Sequence, residues 1–428
     1  MVPRVRMYSI AARAAVMLAI VPALAGCGSS LKVSGSAHAA VDADPATPGT
    51  CAATVLEALG RVAVRVYHEG VESERTASAL HMIGASVPLR KAVEQGDARA
   101  ARAAAGALIA TGHMTNLRVT QGSHVLVDAG SSGALAPVRG VLAGADGKPI
   151  ASFVTSVWAN GGIIAETNGI AEGLTVLRAG RASGGARTIA GGIELPAGEL
   201  PAQGTLTLKG AGYQYTSFAA SAYPAGEPVR VYLLRSIDST AALCGATNEQ
   251  TLVNTISRIA HRIYDGEAGR RTLDQIRRVQ HNRALLSAVA RRDPTATRQA
   301  VEKLLHQHIV RLRVSAGTRL LADVGGPFVL APVHAPLRLG GRTIGSFVLS
   351  IQDDEGYKRL AQRLVGLDVL MYMGKRLVKS TVGFSPGAIP TSGALRLHGH
   401  NFRSYTFTAE AFPSGPLRIT VLIPIPYA

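Results

Sequence analysis

The sequence predicts an α+β protein made of two tandem copies of one unit, each with N-terminal helices followed by an antiparallel sheet. Three observations predict it. The stretch LRVTQGSHVLVDAGSSGALAPV from Leu117 returns 195 positions later as LRVSAGTRLLADVGGPFVLAPV from Leu312. Each copy opens on apolar residues at three- and four-residue steps, the period of a helix face. Each then continues in short β-branched or leucine-rich runs separated by glycine, the pattern of hairpins.

The chain begins before the first copy. MVPRVRMYSIAAR carries three arginines and no acid, AAVMLAIVPA is a short apolar run, and Leu24-Ala25-Gly26-Cys27 closes it with small residues, the pattern of a removable secretory signal. The ending resembles a bacterial lipobox, whose cysteine takes a lipid. The expectation is a signal over 1–27, lipidation at Cys27, and a lipid-anchored protein at the cell membrane facing outside the cytoplasm. The apolar run is shorter than the roughly 20 residues that span a bilayer. Residues 28–50 are small, polar and proline-containing and read as a flexible linker.

The copies then divide the rest into 51–240 and 244–428. Arg65-Val66-Tyr67 pairs with Arg262-Ile263-Tyr264, Asp97 with Asp293, KPIASFVTS (148–156) with RTIGSFVLS (342–350), and YTSFAASAYPAG with YTFTAEAFPSG after a one-residue slip. Cys51 and Cys244 stand at the two openings. Export permits a disulfide between them, which would close a long loop and stabilise by roughly 4 to 5 kcal/mol in the chain-entropy treatment. The alternative is two buried small residues. Neither has metal-site neighbours.

In the second copy Val253, Ile256, Ile259 and Ile263 draw one helix stripe, and Leu273, Ile276, Val279 and Leu286 draw another. Asp293-Pro294 supplies an N-cap and a first-turn proline for a third helix ending near His306. LRVSAG and RLLADVGG read as strands, and Gly340-Gly341 marks a hairpin. DEGYKRLAQRLVG (354–366) is a short amphipathic helix, Met373-Gly374 turns another hairpin, and FRSYTFTAEAF and LRITVLI are the closing strands. This order indicates one sheet per copy.

A strand pair ending Asp-x-Gly-Gly, then G-x-x-x-G-S-F-V-x-S-I-x-D-D-x-G-Y, a short helix and V-L-x-x-M-G-K-x-L-V-x-S resembles the Cache domain, the extracytoplasmic PAS-like sensor module of bacteria. The resemblance covers about 250–425 and, more loosely, 55–235. It implies a small-molecule pocket between the sheet and the segment crossing it, with Ser350, Gln352, Asp353, Asp354, Tyr357, Tyr372 and Tyr405 as ligand-binding candidates. The first copy departs from the pattern: Val157-Trp158-Ala159-Asn160 replaces Ile351-Gln352-Asp353-Asp354, and 178–205 is swollen with glycine and alanine. The second copy is therefore the expected ligand binder.

Plainer roles compete. Asp353 and Asp354 stand where carboxylates cap a helix. Arg313 and Asp323 recur as Arg118 and Asp128, which favours a structural pair. His398 and His400 lie two apart on an expected strand, hence on one face, but no third ligand is in view, and His306 and His308 would diverge on a helix. No metal site or cofactor is expected. GFSPG (383–387) lacks the strand-to-helix elbow of a hydrolase serine, no phosphate loop or dinucleotide fingerprint appears, and AGRASGGARTIAGG reads as a loop. The expectation is not an enzyme.

The chain carries 45 Lys+Arg against 28 Asp+Glu. From Cys244 onward the count is 25 against 12. Such an excess favours anionic partners, whereas export and low aromatic content argue against nucleic acid. Two functions emerge as expectations. One is a sensor or solute-binding lipoprotein for a small polar solute, reporting to a separate membrane receptor or transporter because no output module follows within the sequence. The other is an envelope-organising or adhesion lipoprotein that holds anionic polymer or lipid on its basic helices.

Overall fold

The structure is a computed structural model that describes residues 50–180, 186–266, 270–305, 308–383 and 389–427. The signal, Cys27 and almost all of the linker fall outside these, as do His306 and most of GFSPG. Among the described residues no helix is long and apolar enough to cross a membrane.

The first copy opens with helix α1 (Cys51–Glu72), capped by Thr50, whose hydroxyl accepts from the Ala53 amide at 3.2 Å. Short polar side chains start each of the next three helices. Ser73 caps α2 (Glu74–Ala85), Ser86 caps α3 (Val87–Glu94), and Asp97 accepts from the Arg99 and Ala100 amides to cap α4 (Ala98–Ala110). Each cap satisfies amides that the first helical turn leaves open. After five strands and a short edge strand comes α5 (Asn160–Ala171), and α6 (Ile237–Ala241) leads into the second copy. There α7 (Asn248–Asp265) corresponds to α1, and α8 (Arg270–Gln280), α9 (Arg283–Ala290) and α10 (Pro294–Leu305) correspond to the shorter helices. The second apolar stripe is split in two because Asn282 caps α9 at the Leu285 amide. The segment expected as a short helix is α11 (Asp354–Leu360), continued by a π-helical turn over Ala361–Val365.

The α+β class with antiparallel pairing holds, but each copy contains two sheets where one was expected. In the first copy the small sheet runs His124–Gly130, Asn116–Gln121, Pro149–Ser156, Val138–Ala143, backed by α2 to α4. The large sheet runs Trp158–Ala159, Ala134–Leu135, Ala211–Ala222, Glu227–Ser236, Leu174–Gly180, Ala186–Ala190, with Gln203–Leu208 added beside Ala211–Ala222. The second copy repeats both orders. Two devices divide the sheets. Gly130 and Gly325 end the first hairpin at φ +126° and +133°, where an added Cβ would lie 2.2 and 2.3 Å from the Thr115 and Val310 carbonyl oxygens. The chain then drops into the large sheet for only two residues, Ala134–Leu135 or Val329–Leu330, before returning. Buried Ser156 and Ser350 tie that crossing down, each donating to the Leu135 or Leu330 carbonyl.

The copies do not keep separate interiors. One apolar cluster takes Val55, Leu59, Val62 and Val66 from α1, Val231 and Leu233 from the first large sheet, Ile256 and Ile259 from α7, and Ile419 and Val421 from the second. Helix α1 packs on α7 and on the π-helical turn of the second copy, while α7 reaches back to α5 of the first. This reciprocity is the arrangement of a two-fold dimer, in which each partner offers the same patch. Cys51 and Cys244 form a disulfide with Cα atoms 5.6 Å apart, joining the two openings.

Candidate functional site

The seven ligand-binding candidates divide into two groups. Ser350, Gln352, Asp353, Asp354 and Tyr357 lie together where the small sheet hands over to α11, and most of their polar atoms are already engaged. The Ser350 hydroxyl donates within the crossing. Asp353 caps α11, accepting from the Gly356 amide at 2.6 Å. Asp354 is buried, accepts from the Glu355 amide at 3.0 Å, and has the Lys379 ammonium 3.1 Å from its second oxygen. The hydrogen bonds that this lysine donates to Glu355 and Asp354 raise it above its ordinary value. Tyr357 is wholly buried, donates to the Ala260 carbonyl of α7 at 3.0 Å, and is driven up by burial. Gln352 differs: it is 5% exposed and its Oε1 has no partner.

Tyr372 and Tyr405 lie on the large sheet. Arg418 sits 5.7 Å from the Tyr372 ring centre, and Tyr405 leans on Phe407 with ring centres 6.3 Å apart. Tyr405 joins an aromatic group under α7 with His261 and Tyr264, and Tyr264 Oη accepts from the Glu410 amide at 2.8 Å. None of the seven lines any of the three described clefts.

The roomiest of these clefts opens at the seam between the copies, at about 720 Å³. Helix α1 supplies Arg61, Val64 and Arg65, the first large sheet supplies Thr216 and Phe218, and the far end of the chain supplies Tyr427. Arg61 and Arg65 stand 5.9 and 5.8 Å from the Tyr427 ring centre, and Arg61 also donates to Glu57 at 2.7 Å. Tyr427 donates to the Val365 carbonyl at 2.6 Å, and burial pushes its phenol up to about 12. An apolar floor with a few convergent polar groups is the ordinary form of a small-molecule site. The sequence reading missed it because Val64 and Tyr427 belong to opposite ends of the chain. The signal that could have found it was the repeat itself, which places α1 against the second copy once pairing is assumed.

Charge is also concentrated along the seam. Glu172, in left-handed backbone after α5, accepts from Arg258 of α7 at 2.7 Å and faces Arg262 and buried Arg235. Burial pushes its carboxyl up, but the three guanidinium groups outweigh that and hold it below the usual range. On the other side Glu69 of α1 accepts from Arg363 at 2.9 Å. Arg313 and Asp323 form a structural pair at 2.7 Å, and Arg118 donates to Asp128 at 3.1 Å. His398 occupies a left-handed turn between strands at φ 48°, so it does not share a strand face with His400 as expected. Among the described residues no group of three or more His, Cys, Asp or Glu could hold a metal ion.

No family model, no curated protein and no solved structure matches the chain.

Proposed function

We propose that the protein is an extracytoplasmic, lipid-anchored binding module of two tandem Cache-like domains, without catalysis of its own, that senses a small solute and reports through a separate partner. The observation that carries this reading is the seam cleft of about 720 Å³, because both copies line it. A solute seated there touches α1, the first sheet and Tyr427 together, so its binding energy depends on how the copies are placed. A ligand shifts a conformational equilibrium only through such a difference in contacts.

Thermal unfolding against amines, nucleobases and sugars tests it, since binding to the native state raises the midpoint. Val64→Trp should fill the cleft and remove the response. A response lost instead in Asp354→Ala would move the site to the start of α11, and no response to any compound would end the solute reading.

A second reading has its own observation. Arg277, Arg283, Arg291, Arg292, Arg298 and Lys303 are all exposed on or beside α8 to α10. Such a surface suits an anionic envelope polymer or lipid, held by charge and released by salt. Retention on anionic polymer that vanishes at high ionic strength, with no solute response, would favour it.

A further inference from the structure

We propose that the outer face of the first copy's large sheet binds a small carboxylate between Arg178 and Arg230, a site separate from the seam cleft. The argument begins with sheet register. Arg178 on Leu174–Gly180 and Arg230 on Glu227–Ser236 are direct antiparallel partners. Side chains directly opposite each other share a face with Cβ atoms about 4.5 to 5.5 Å apart, and like charges there destabilise the sheet. Neither arginine makes an ion pair among the described residues. The Arg230 Nε donates to the Ser217 hydroxyl at 3.0 Å, which leaves its charge uncompensated.

Burial sharpens the problem. Arg178 is 2% exposed, and its Nη2 donates to the Ala186 carbonyl at 3.2 Å, but its Nε and Nη1 have no partner. A buried charge is costly unless it is paired and hydrogen-bonded. Its guanidinium carbon lies 5.9 Å from the Tyr232 ring centre, and Tyr232 packs in an apolar group with Val176, Leu195, Leu206, Leu208 and Leu234. Free N–H donors, a second cation opposite and an apolar surround together define the complement: one negative charge carried on oxygen, attached to a small apolar body. A carboxylate meets that description with less desolvation than a doubly charged phosphate.

The second copy shows how the same place is settled without a ligand. Tyr372 and Arg418 are the equivalent register partners, and there the ring stacks under the guanidinium while the Arg418 Nη2 donates to the Gly374 carbonyl at 2.8 Å. Substituting arginine for that tyrosine in the first copy removes the stacking partner and adds a charge. The carboxylate site therefore lies in the copy whose sequence departs from the sensor pattern.

The test is thermal unfolding of the purified full chain in a zwitterionic buffer, with acetate, benzoate or inorganic phosphate replacing chloride at constant ionic strength. The expected result is a midpoint that climbs with carboxylate concentration, more steeply for benzoate. Arg178→Tyr, the residue of the second copy, should abolish the climb without lowering the midpoint in chloride. Arg230→Met should demand at least tenfold more carboxylate for the same shift, and Val64→Trp should leave the response intact. A wild-type chain indifferent to both carboxylates, a response that survives Arg178→Tyr, or a response to phosphate alone would each overturn the proposal.

Discussion

Trp158 and Gln352 hold the same place in the two copies. Trp158 pairs with Leu135 and Gln352 with Leu330, each on the short strand that precedes the helix. The indole reaches α1, donates to the Val66 carbonyl at 3.1 Å and lies against Gly70, where an added Cβ would come 2.4 Å from its Cδ1 and 2.7 Å from the Ala136 Cβ. Gly70→Ala should therefore overpack this contact at a cost of about 1 to 3 kcal/mol, read as a lower denaturant midpoint. An unchanged midpoint would mean that the indole can move aside freely.

At Gln352 the expectation has the opposite sign. Its buried Oε1 lacks a partner, and an unsatisfied buried acceptor costs about 1 to 3 kcal/mol. Gln352→Met should hold or raise stability in chemical denaturation. A marked loss would show that the amide makes a bond that matters, through water or solute.

Acid should weaken the seam at Glu172 and the second copy's small sheet at Asp323. Glu172 is held below the usual carboxylate range, and so is Asp323, where burial opposes and Arg311 and Arg313 prevail. A carboxyl whose folded value is depressed contributes its full stability above its unfolded value, about 4, and loses it as pH falls through the folded value. Glu172→Gln should cost about 2 kcal/mol at neutral pH, as for a hydrogen bond to a charged group, and should flatten the acid limb of a stability-against-pH curve. An acid limb identical to that of the wild type would remove Glu172 from this role.

Removing the covalent tie is the largest expected effect. The disulfide joins residues 193 positions apart, and the chain-entropy treatment assigns such a loop about 5 kcal/mol. Cys51→Ser with Cys244→Ser should lower the guanidinium midpoint accordingly. A loss below about 1 kcal/mol would mean that the shared core alone aligns the copies.

Sequence legibility followed locality. The α7 stripe, the Asp293-Pro294 start, the Gly340-Gly341 hairpin and the short helix after Asp354 all appear where expected, because caps and periodicity act over a few residues. The second sheet was illegible because Ala134–Leu135 and Val329–Leu330 are too short to show alternation. The site candidates line none of the described clefts for a related reason: Asp353 and Tyr357 look like ligand groups in one dimension, but folding turns them toward an amide of α11 and a carbonyl of α7. Arg178 passed unnoticed inside a glycine-rich stretch, although aligning it with Tyr372 would have exposed the exchange.

The shared interior has an evolutionary corollary. Two identical chains meeting across a two-fold axis must accept every substitution twice, so a charge introduced at one subunit is introduced at both. Here the halves are encoded in series and fastened at Cys51 and Cys244. One half can keep Tyr372 under Arg418 as a fixed wall while its twin carries Arg178 opposite Arg230. Fusion thus turns a symmetric frame into one whose two ends can specialise independently.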